Sequence, residues 1–479
     1  MKILFIAAES SPFVKVGGLA DVIGSLPQAL KQEKNVDVRV LLPLYSQIPE
    51  SLVSKKKLLK KLFIKHDANP REYVGLYTLM WDHVRFYFID SPKYFRHRSS
   101  IYNQVDDAKR FSYFQLACLE AMPYLDYAFD IVHVHDWHTA MIPLLMKTEY
   151  ASLYRTIKSV ITIHNLAYQG MFPISDYQMF HMEFDYRFEF EGYLNFLKAG
   201  LASSDFVTTV SPTYAKEIIT DYFGYGLQRL LRLRESTIQG ILNGIPSQEF
   251  DPAIDKYLVQ PYTVATWKDG KSVNKIAFYE KLGLSFDPST LLLTMVTRLV
   301  SQKGLDLVKR VFDEVMAKEN IKFIIIGDGE KEYVDYFHDL MSRYPDKVYL
   351  YAGYHNEYAH LAYAASDLFL MPSKFEPCGL GQLIALKYGT LPLVRETGGL
   401  KDTVIPYNEF DRTGHGFSFT HYNAHDMMHV LHYAITVYQN DPFAWEMLVE
   451  RAMNLDFSWQ QSAKQYVSLY KNLLKKKRI

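Results

Sequence analysis

The chain has 479 residues, and 48% of them are hydrophobic, so it can bury the cores of two or three domains. Lysine plus arginine and aspartate plus glutamate both number 53, which excludes the basic excess usual in nucleic-acid-binding proteins. The chain has two cysteines, too few for a disulfide framework, which fits a cytoplasmic protein. It contains no run of 18 uncharged apolar residues, so no membrane-spanning helix is predicted.

The chain opens with a predicted strand, a glycine loop and a helix. Residues 2–8 have the pattern of a buried strand, and residues 19–30 that of a helix. Lys15, Gly17 and Gly18 lie between them. Glycines let a backbone approach a ligand, a helix start attracts an anion, and Lys15 adds a positive charge. The loop therefore suits a phosphate beside a polar group, and a plain tight turn is the alternative.

Strand and helix patterns go on alternating up to about residue 242. Strands are predicted at 36–42, 73–80, 84–89, 131–135, 160–164 and 206–210, with a helix at 109–122. The basic and apolar run at 55–65 indicates a solvated face of a sheet or helix, and contact with a membrane or an acidic partner is the alternative. The alternation predicts a parallel, doubly wound sheet, which binds ligands at the carboxyl ends of its strands.

Histidines follow or end two of these strands. His133 and His135 share one face of the strand at 131–135, Trp137 comes just after it, and His164 and Asn165 end the strand at 160–164. A metal site is disfavoured, because no glutamate or cysteine stands at ligand spacing. The pattern favours recognition of hydroxyl groups in a polar cleft, with Trp137 as a stacking ring.

A turn-rich stretch at 243–252 divides the chain and is the predicted hinge. A second alternating series follows, with strands at 291–296, 322–326, 348–352, 368–371 and 391–394 and with helices that include 305–317 and 380–388. The last segment, 459–476, has an amphipathic helical pattern and a basic tail. The sequence thus predicts an α/β protein of two Rossmann-like, doubly wound domains, 1–242 and 243–456, that face a deep interdomain cleft.

Candidate ligand residues of the second domain also follow predicted strands. Arg298 and Lys303 stand on a loop that opens a helix, where two cations could clamp a diphosphate, and a pair of surface cations is the alternative. Glu376, in a second glycine loop, could accept hydrogen bonds from sugar hydroxyls. Cys378 beside it is interpreted as a packed or ligand-contacting thiol rather than a nucleophile. A third loop contains Gly398 and Gly399.

These motifs together resemble those of bacterial glycogen synthases and plant starch synthases, the retaining GT-B glucosyltransferases. They occur in family order along essentially the whole chain. The matching motifs are Lys15-Val16-Gly17-Gly18-Leu19, Val132-His133-Val134-His135-Asp136-Trp137, Thr162-Ile163-His164-Asn165-Leu166-Ala167-Tyr168-Gln169-Gly170, Val210-Ser211-Pro212-Thr213-Tyr214-Ala215, Gly240-Ile241-Leu242-Asn243-Gly244-Ile245, Arg298 with Lys303-Gly304, and Phe375-Glu376-Pro377-Cys378-Gly379-Leu380.

The resemblance implies transfer of glucose from ADP-glucose to the non-reducing end of an α-1,4-glucan such as glycogen, with retention of configuration. It implies no cofactor, no divalent metal, no nucleic acid and no membrane, and a homo-oligomer is compatible with it. It also suggests that residues 457–479 cross back as a helix onto the first domain. The residues it implies are Glu376, Arg298, Lys303 and His164 for catalysis and Lys15, Gly18, Asp21, Asn243, Cys378, Gly379 and Leu380 for substrate binding. The polar pattern at the ends of the strands at 131–135 and 160–164 adds His135, Trp137 and Asn165 to the substrate-binding residues.

The chain departs from the family pattern at three places, and two other functions stay open. Gly381 stands where many relatives have threonine or serine, Pro246 where an acidic residue is common, and Asp106-Asp107 replaces the frequent Asp-Asn before Arg110. The alternatives are a non-catalytic glucan-binding protein and a glucan phosphorylase. The presence of Lys15, Arg298, Lys303 and Glu376 argues against a non-catalytic protein. The absence of a recognisable motif for pyridoxal phosphate argues against a phosphorylase.

Overall fold

The structure, a computed structural model, describes residues 1–475 and divides into two compact units. The N-terminal unit comprises Met1–Asn243 together with the segment that begins at Trp459, and the C-terminal unit comprises Gly244–Ser458. The predicted basic tail at 476–479 lies outside the described residues.

The elements of residues 1–243 form two sheets with surrounding helices. The strands are β1 (Lys2–Ile6), β2 (Asp37–Pro43), β3 (Lys57–His66), β4 (Asn69–Trp81), β5 (Val84–Asp90), β6 (Ile131–His135), β7 (Lys158–Ile163), β8 (Met171–Pro173), β9 (Glu189–Phe190), β10 (Tyr193–Asn195), β11 (Phe206–Thr209) and β12 (Ile238–Gly240). The helices are α1 (Gly18–Gln32), α2 (Glu50–Val53), α3 (Asp107–Ala121), α4 (Ile142–Leu145), α5 (Ala151–Tyr154), α6 (Phe196–Ser203), α7 (Pro212–Glu217) and α8 (Gln228–Leu233), with 3-10 turns at Met122–Tyr124, Trp137–Thr139, Ile174–Phe180 and Glu235–Thr237.

The remaining elements follow in chain order. The helices are α9 (Trp267–Leu282), α10 (Leu305–Lys318), α11 (Lys331–Arg343), α12 (Asn356–Ala365), α13 (Gly381–Lys387), α14 (Gly398–Thr403), α15 (Ala424–Asn440), α16 (Pro442–Met453) and α17 (Trp459–Lys475). The strands are β13 (Leu291–Val296), β14 (Ile321–Gly327), β15 (Val348–Ala352), β16 (Leu368–Met371), β17 (Leu391–Arg395) and β18 (Phe417–Phe419), and a 3-10 turn spans Ser301–Lys303.

The large sheet of the N-terminal unit has the order β12-β11-β7-β6-β1-β2-β5-β4-β3. Its first seven strands in that order are parallel, which confirms the doubly wound prediction for this part. The other edge of the sheet is antiparallel, because β4 runs antiparallel to β5 and β3 antiparallel to β4, which confirms that the predicted strands at 73–80 and 84–89 form a pair. Asp82 and His83, at positive φ, form the tight turn that reverses the chain between β4 and β5.

Most of the basic run at 55–65 lies in the edge strand β3, which begins at Lys57. Most of its side chains are exposed, including Phe63. Lysines on an exposed edge hinder pairing with the strand of another molecule. The interpretation of this run as a solvated face of a sheet is therefore confirmed.

The C-terminal unit contains one parallel sheet of six strands, in the order β15-β14-β13-β16-β17-β18. The chain reverses its direction of winding between β13 and β16, which makes this pair the topological switch point of the sheet. Helix α9 has no counterpart among the predicted elements. The polar residues Lys271, Asn274 and Lys275 interrupt its apolar pattern, and the fold buries all three.

Helix α17 packs on the N-terminal unit. The Tyr470 hydroxyl lies 2.7 Å from His133 Nδ1, and Ser462 Oγ donates a hydrogen bond of 2.5 Å to the Leu242 carbonyl oxygen. Gln460 of this helix also donates to Gln32 at the end of α1. Across residues 1–475, no helix combines the length and the apolar character that crossing a bilayer requires.

Candidate active site

The loop that joins β1 to α1 holds Lys15 against Asp21. Lys15 Nζ lies 2.6 Å from Asp21 Oδ1, and the lysine side chain remains half exposed. Burial raises the pKa of the Asp21 carboxyl, whereas the charge of Lys15 lowers it. Among the described residues, no heavy atom lies within 4 Å of a Cβ built on Gly18. The start of α1 is therefore accessible at Gly18, and Lys15 lies in the loop just before it.

The buried carboxylate of Glu9 binds the backbone of this loop. Glu9 Oε2 accepts hydrogen bonds from the backbone N–H groups of Val16, at 2.6 Å, and Gly17, at 3.3 Å. Burial raises the pKa of Glu9 from 4.5 to about 7, against the lowering effect of those two N–H groups. Glu9 thus fixes the path of the chain that leads into Gly18.

The ends of β6 and β7 bring His135 and His164 together. His135 Nδ1 lies 3.0 Å from His164 Nε2, and the Asp136 carboxylate accepts the His164 backbone N–H at 2.7 Å. Burial lowers the pKa of His164 from 6.5 to about 3 and raises that of Asp136 from 3.8 to about 7. His164 is therefore neutral at physiological pH and can exchange hydrogen bonds with hydroxyl groups but cannot act as a cationic acid.

The two other predicted residues near this edge are placed as follows. Asn165 is half buried, and its Oδ1 accepts the Ala167 backbone N–H at 3.0 Å, which forms a local turn. Asn243 is buried and follows β12, the edge strand of the same sheet. Both lie after carboxyl ends of parallel strands, where ligands of such sheets bind.

Trp137 and His133 differ from their expected roles. The Trp137 ring is 9% exposed, stacks on His138 at 4.0 Å, and lies so close to Gly170 that a Cβ there would come within 2.5 Å of Trp137 Cε3. The surrounding chain covers the ring, so it is not presented as a stacking surface for a sugar.

Both ring nitrogens of His133 have protein partners, Tyr470 and Thr162. Within residues 1–475, no group of three or more His, Cys, Asp or Glu side chains is arranged to hold a metal ion. The histidine-rich strand is therefore part of the hydrogen-bonded core under the site.

In the C-terminal unit, the loops after β13 and β16 meet at the switch point. Lys303 Nζ lies 2.6 Å from Glu376 Oε2, and both side chains are largely buried. Ser373 Oγ donates a second hydrogen bond, of 3.1 Å, to the same carboxylate oxygen. The structure thus brings together two of the residues predicted for catalysis.

Arg298 lies on the same loop as Lys303. It is exposed, and its guanidinium makes no hydrogen bond or ion pair with any residue in the described part of the chain, 1–475. Its neighbour Leu299 anchors the loop, because the Leu299 N–H donates to the Asp328 carbonyl oxygen. Arg298 therefore presents a full positive charge at the edge where the sheet binds ligands.

The glycine loops after β16 and β17 pack backbone against backbone. The Gly399 N–H donates to the Glu376 carbonyl oxygen at 3.1 Å, and a Cβ on Gly398 would come within 2.0 Å of that oxygen. Gly379, at φ 75°, turns the chain into α13. These contacts leave no room for a side chain at Gly398, and they fix the position of the Glu376 backbone.

Cys378 and Leu380 belong to the same loop. Cys378 is buried, and its carbonyl oxygen accepts a hydrogen bond from Gln382, which also bonds Gly379 and Thr403. Leu380 is partly buried at the start of α13. At Gly381, a Cβ would lie 3.0 Å from Phe369 Cε1, so the absence of a side chain there fits the packing of β16.

Sequence reasoning missed Glu9, Asp136 and Gln382 as residues that build the site. Glu9 and Asp136 both follow buried strands, a position that marks them as lying near the ligand-binding edge but does not indicate that they bind loop N–H groups. Gln382 gave no such signal, because its contacts with the nearby Cys378 and Gly379 and with the more distant Thr403 form only when the loop is folded.

The comparisons agree with this geometry. Residues 2–233 match the family described as the starch synthase catalytic domain, and residues 283–439 match glycosyl transferases group 1. The sucrose-phosphate synthase of Thermosynechococcus elongatus, 17% identical, covers 98% of both chains with a TM-score of 0.58 and shares the fold. The two Rossmann-like units therefore define a glycosyltransferase of the GT-B fold.

More similar proteins narrow the class. The glycogen synthase of Bacillus cereus is 48% identical over 99% of this chain and 100% of its own length, and that of Anoxybacillus flavithermus is 45% identical over 99% and 98%. The catalytic domain of starch synthase IV from Arabidopsis thaliana, bound to ADP and acarbose, is 32% identical over 99% of both chains, with a TM-score of 0.91. The chain belongs to the family of glycogen and starch synthases.

Proposed function

We propose that this protein extends glycogen by transferring glucose from ADP-glucose to the non-reducing end of an α-1,4-glucan, with retention of configuration. The observation that carries the proposal is the Lys303–Glu376 pair at the switch point of the C-terminal sheet, with the exposed Arg298 on the same loop as Lys303. A nucleoside diphosphate leaving group needs cations, and a sugar needs a carboxylate acceptor. The names of its relatives and the ADP bound to the plant enzyme support this donor and this product.

In the proposed reaction, the bond between the glucose anomeric carbon and the β-phosphate oxygen breaks, and ADP leaves with the electron pair. The acceptor 4-hydroxyl forms the new bond on the same face of the sugar, and its proton passes to the departing phosphate. No protein nucleophile is required. Arg298 and Lys303 stabilise the charge that develops on the phosphate.

Glu376 has two tasks in this proposal. Its carboxylate accepts from Lys303 and so fixes the ammonium, which has three donors and keeps others for phosphate oxygens. Its remaining acceptor capacity serves a glucose hydroxyl. A charge that is already oriented before substrate binds costs little reorganisation during the reaction.

The residues of the N-terminal unit have supporting roles. Neutral His164 and Asn243 are proposed to contact glucose hydroxyls, Lys15 and Gly18 the donor, and Asp21 the acceptor side. The accessible backbone at Gly18 and the Lys15–Asp21 pair support these roles. We further propose that the enzyme works in the cytoplasm and without a divalent metal.

The test is a donor competition with purified protein and glycogen. ADP-glucose and UDP-glucose are supplied together, nucleotide release is measured with and without glycogen, and the new linkage is identified by NMR. We expect glycogen-dependent release of ADP and α-1,4 linkages. Phosphate-dependent loss of glycogen with a bound pyridoxal chromophore would instead indicate a phosphorylase, and binding of glycogen without any nucleotide release would indicate a non-catalytic protein.

A further inference from the structure

A cavity of about 630 Å³ lies in the C-terminal unit, away from the residues assigned to catalysis. It is lined by residues of α9, α15 and α16 and by the segments that precede β13, β14 and β16, including Ser289, Asn320 and Asp367. It therefore lies at the amino ends of strands whose carboxyl ends hold Lys303 and Glu376. Strand β13 has six residues and spans about 20 Å, so the two sites are well separated.

The charged groups of the cavity are satisfied by the protein itself. Lys275 Nζ lies 2.6 Å from Asp367 Oδ2, and Lys268 Nζ lies 2.7 Å from Glu446 Oε1. Lys271 Nζ donates to the carbonyl oxygens of Ala364 and Tyr388 and to Thr390 Oγ1. Every cation is thus paired or fully hydrogen-bonded, so the cavity does not favour an anion such as phosphate.

What the cavity offers is aromatic surface and neutral polar groups. Phe286 is 40% exposed, and Trp267 and Tyr438 are partly exposed. Tyr438 is held in place by Trp445, whose ring lies 5.0 Å away in an edge arrangement. The neutral polar groups are Ser272, Ser289, Asn320 and Gln439.

Aromatic faces with a few neutral donors and acceptors suit an uncharged, hydroxyl-rich ligand, and the volume falls within the range of about 300–1,000 Å³ typical of ligand sites. We propose that this cavity is a second, non-catalytic binding site for an α-glucan chain. The choice of an α-glucan among hydroxyl-rich ligands rests on the proposed function. Because glycogen offers many chain ends, one bound chain would raise the effective concentration of the others at the catalytic site.

Two variants test this site. Phe286→Ala removes an exposed ring, and Ser272→Arg, on the exposed side of α9, places a long side chain over the cavity without removing any core atoms. Ser342→Arg, on the exposed face of α11, is the matched control. Affinity for glycogen is measured by native electrophoresis in gels that contain glycogen, and KM and kcat are measured with glycogen and with maltotriose.

We expect both cavity variants to lose about tenfold in apparent affinity for glycogen and to raise its KM by a similar factor, because one of two attachment points is lost. Their kcat and their KM for maltotriose should match those of the control. Unchanged glycogen retention in both variants would overturn the proposal. The gel needs no turnover, so a protein that binds glycogen through this cavity but transfers no glucose would contradict only the proposed function.

Discussion

Lys303 Nζ lies 2.6 Å from Glu376 Oε2, which joins two loops that are 73 residues apart in the chain. The loops follow β13 and β16, the strands at which the sheet changes its direction of winding. The two charges therefore orient each other before any substrate binds. Removing either charge should therefore reduce both stability and catalysis.

Lys303→Ala should lower kcat on the order of a hundred-fold or more, because the departing phosphate loses a positioned cation. It should also cost about 3 kcal/mol of stability, because Glu376 is left buried without its partner. The double variant Lys303→Met/Glu376→Gln should recover most of the Tm but none of the activity. Lys309→Ala, which removes an exposed lysine of α10, is the control. Full activity of the double variant would show that the pair is only structural.

Arg298→Ala, unlike Lys303→Ala, should lower activity without lowering stability. Its guanidinium has no partner among residues 1–475, so the Tm should stay within about 1 °C of the parent. Activity with ADP-glucose should fall on the order of a hundred-fold. Arg298→Lys should recover only part of that loss, because an ammonium cannot make the bidentate contact of a guanidinium. A variant with parental kcat and KM would remove Arg298 from the proposed site.

Much of this site could be predicted from the sequence, because its cations, Glu376 and glycines stand directly after apolar strands. A parallel sheet brings such positions to one edge whatever the details of packing. The positions of Trp137 and α9 could not be predicted in this way. Trp137 follows a strand as a ligand residue would, but the aromatic side chains that cover it come from distant segments, as Phe111 and Phe172 do.

The roles of Glu9 and Asp136 depend on backbone geometry that no residue pattern encodes. Each binds N–H groups of a loop whose path exists only in the folded chain. Asp136 also adopts φ 56°, a conformation that Asp tolerates better than most residues. The sequence pattern predicts where the strands end. Which side chains at those ends can face a ligand and which bind the loop backbone depends on the folded structure.

Gly381→Ser should destabilise this chain, although relatives are expected to have a hydroxyl residue at the position. A Cβ at residue 381 would lie 3.0 Å from Phe369 Cε1, so the ring must shift. The expected cost is about 1–2 kcal/mol, or a few degrees in Tm. The added variant Phe369→Leu should relieve this strain, so the double variant should lose less Tm than the sum of the singles. Additive losses would mean that Phe369 is not the obstacle.

Removal of divalent metals should leave the transfer rate unchanged. Arg298 and Lys303 already supply two positive charges beside the proposed diphosphate position, and that charge does not depend on an added ion. The measurement is the rate of ADP release in excess EDTA, compared with the rate in Mg²⁺. A rate that falls severalfold in EDTA and returns with Mg²⁺ would contradict the proposal of metal-free transfer.

Glu9 should make the stability of the enzyme depend on pH in a predictable direction. Burial raises its pKa from 4.5 to about 7, so the folded chain binds the proton more tightly than the unfolded chain does. The resulting stabilisation is fully present below pH 4.5 and is lost as pH rises through 7. Ionising Glu9 in the folded chain therefore costs up to ~3 kcal/mol at pH 8.

Glu9→Gln removes this ionisation but keeps an oxygen that can accept the Val16 and Gly17 N–H groups. The Tm of the variant relative to that of the parent should therefore rise from pH 5 to about pH 7 and level off by pH 8. Glu149→Gln, which changes an exposed glutamate of the same unit, should show no such trend. Scanning calorimetry at half-unit intervals of pH measures both differences. Parallel curves for Glu9→Gln and the parent would mean that Glu9 titrates near its ordinary pKa in the folded chain.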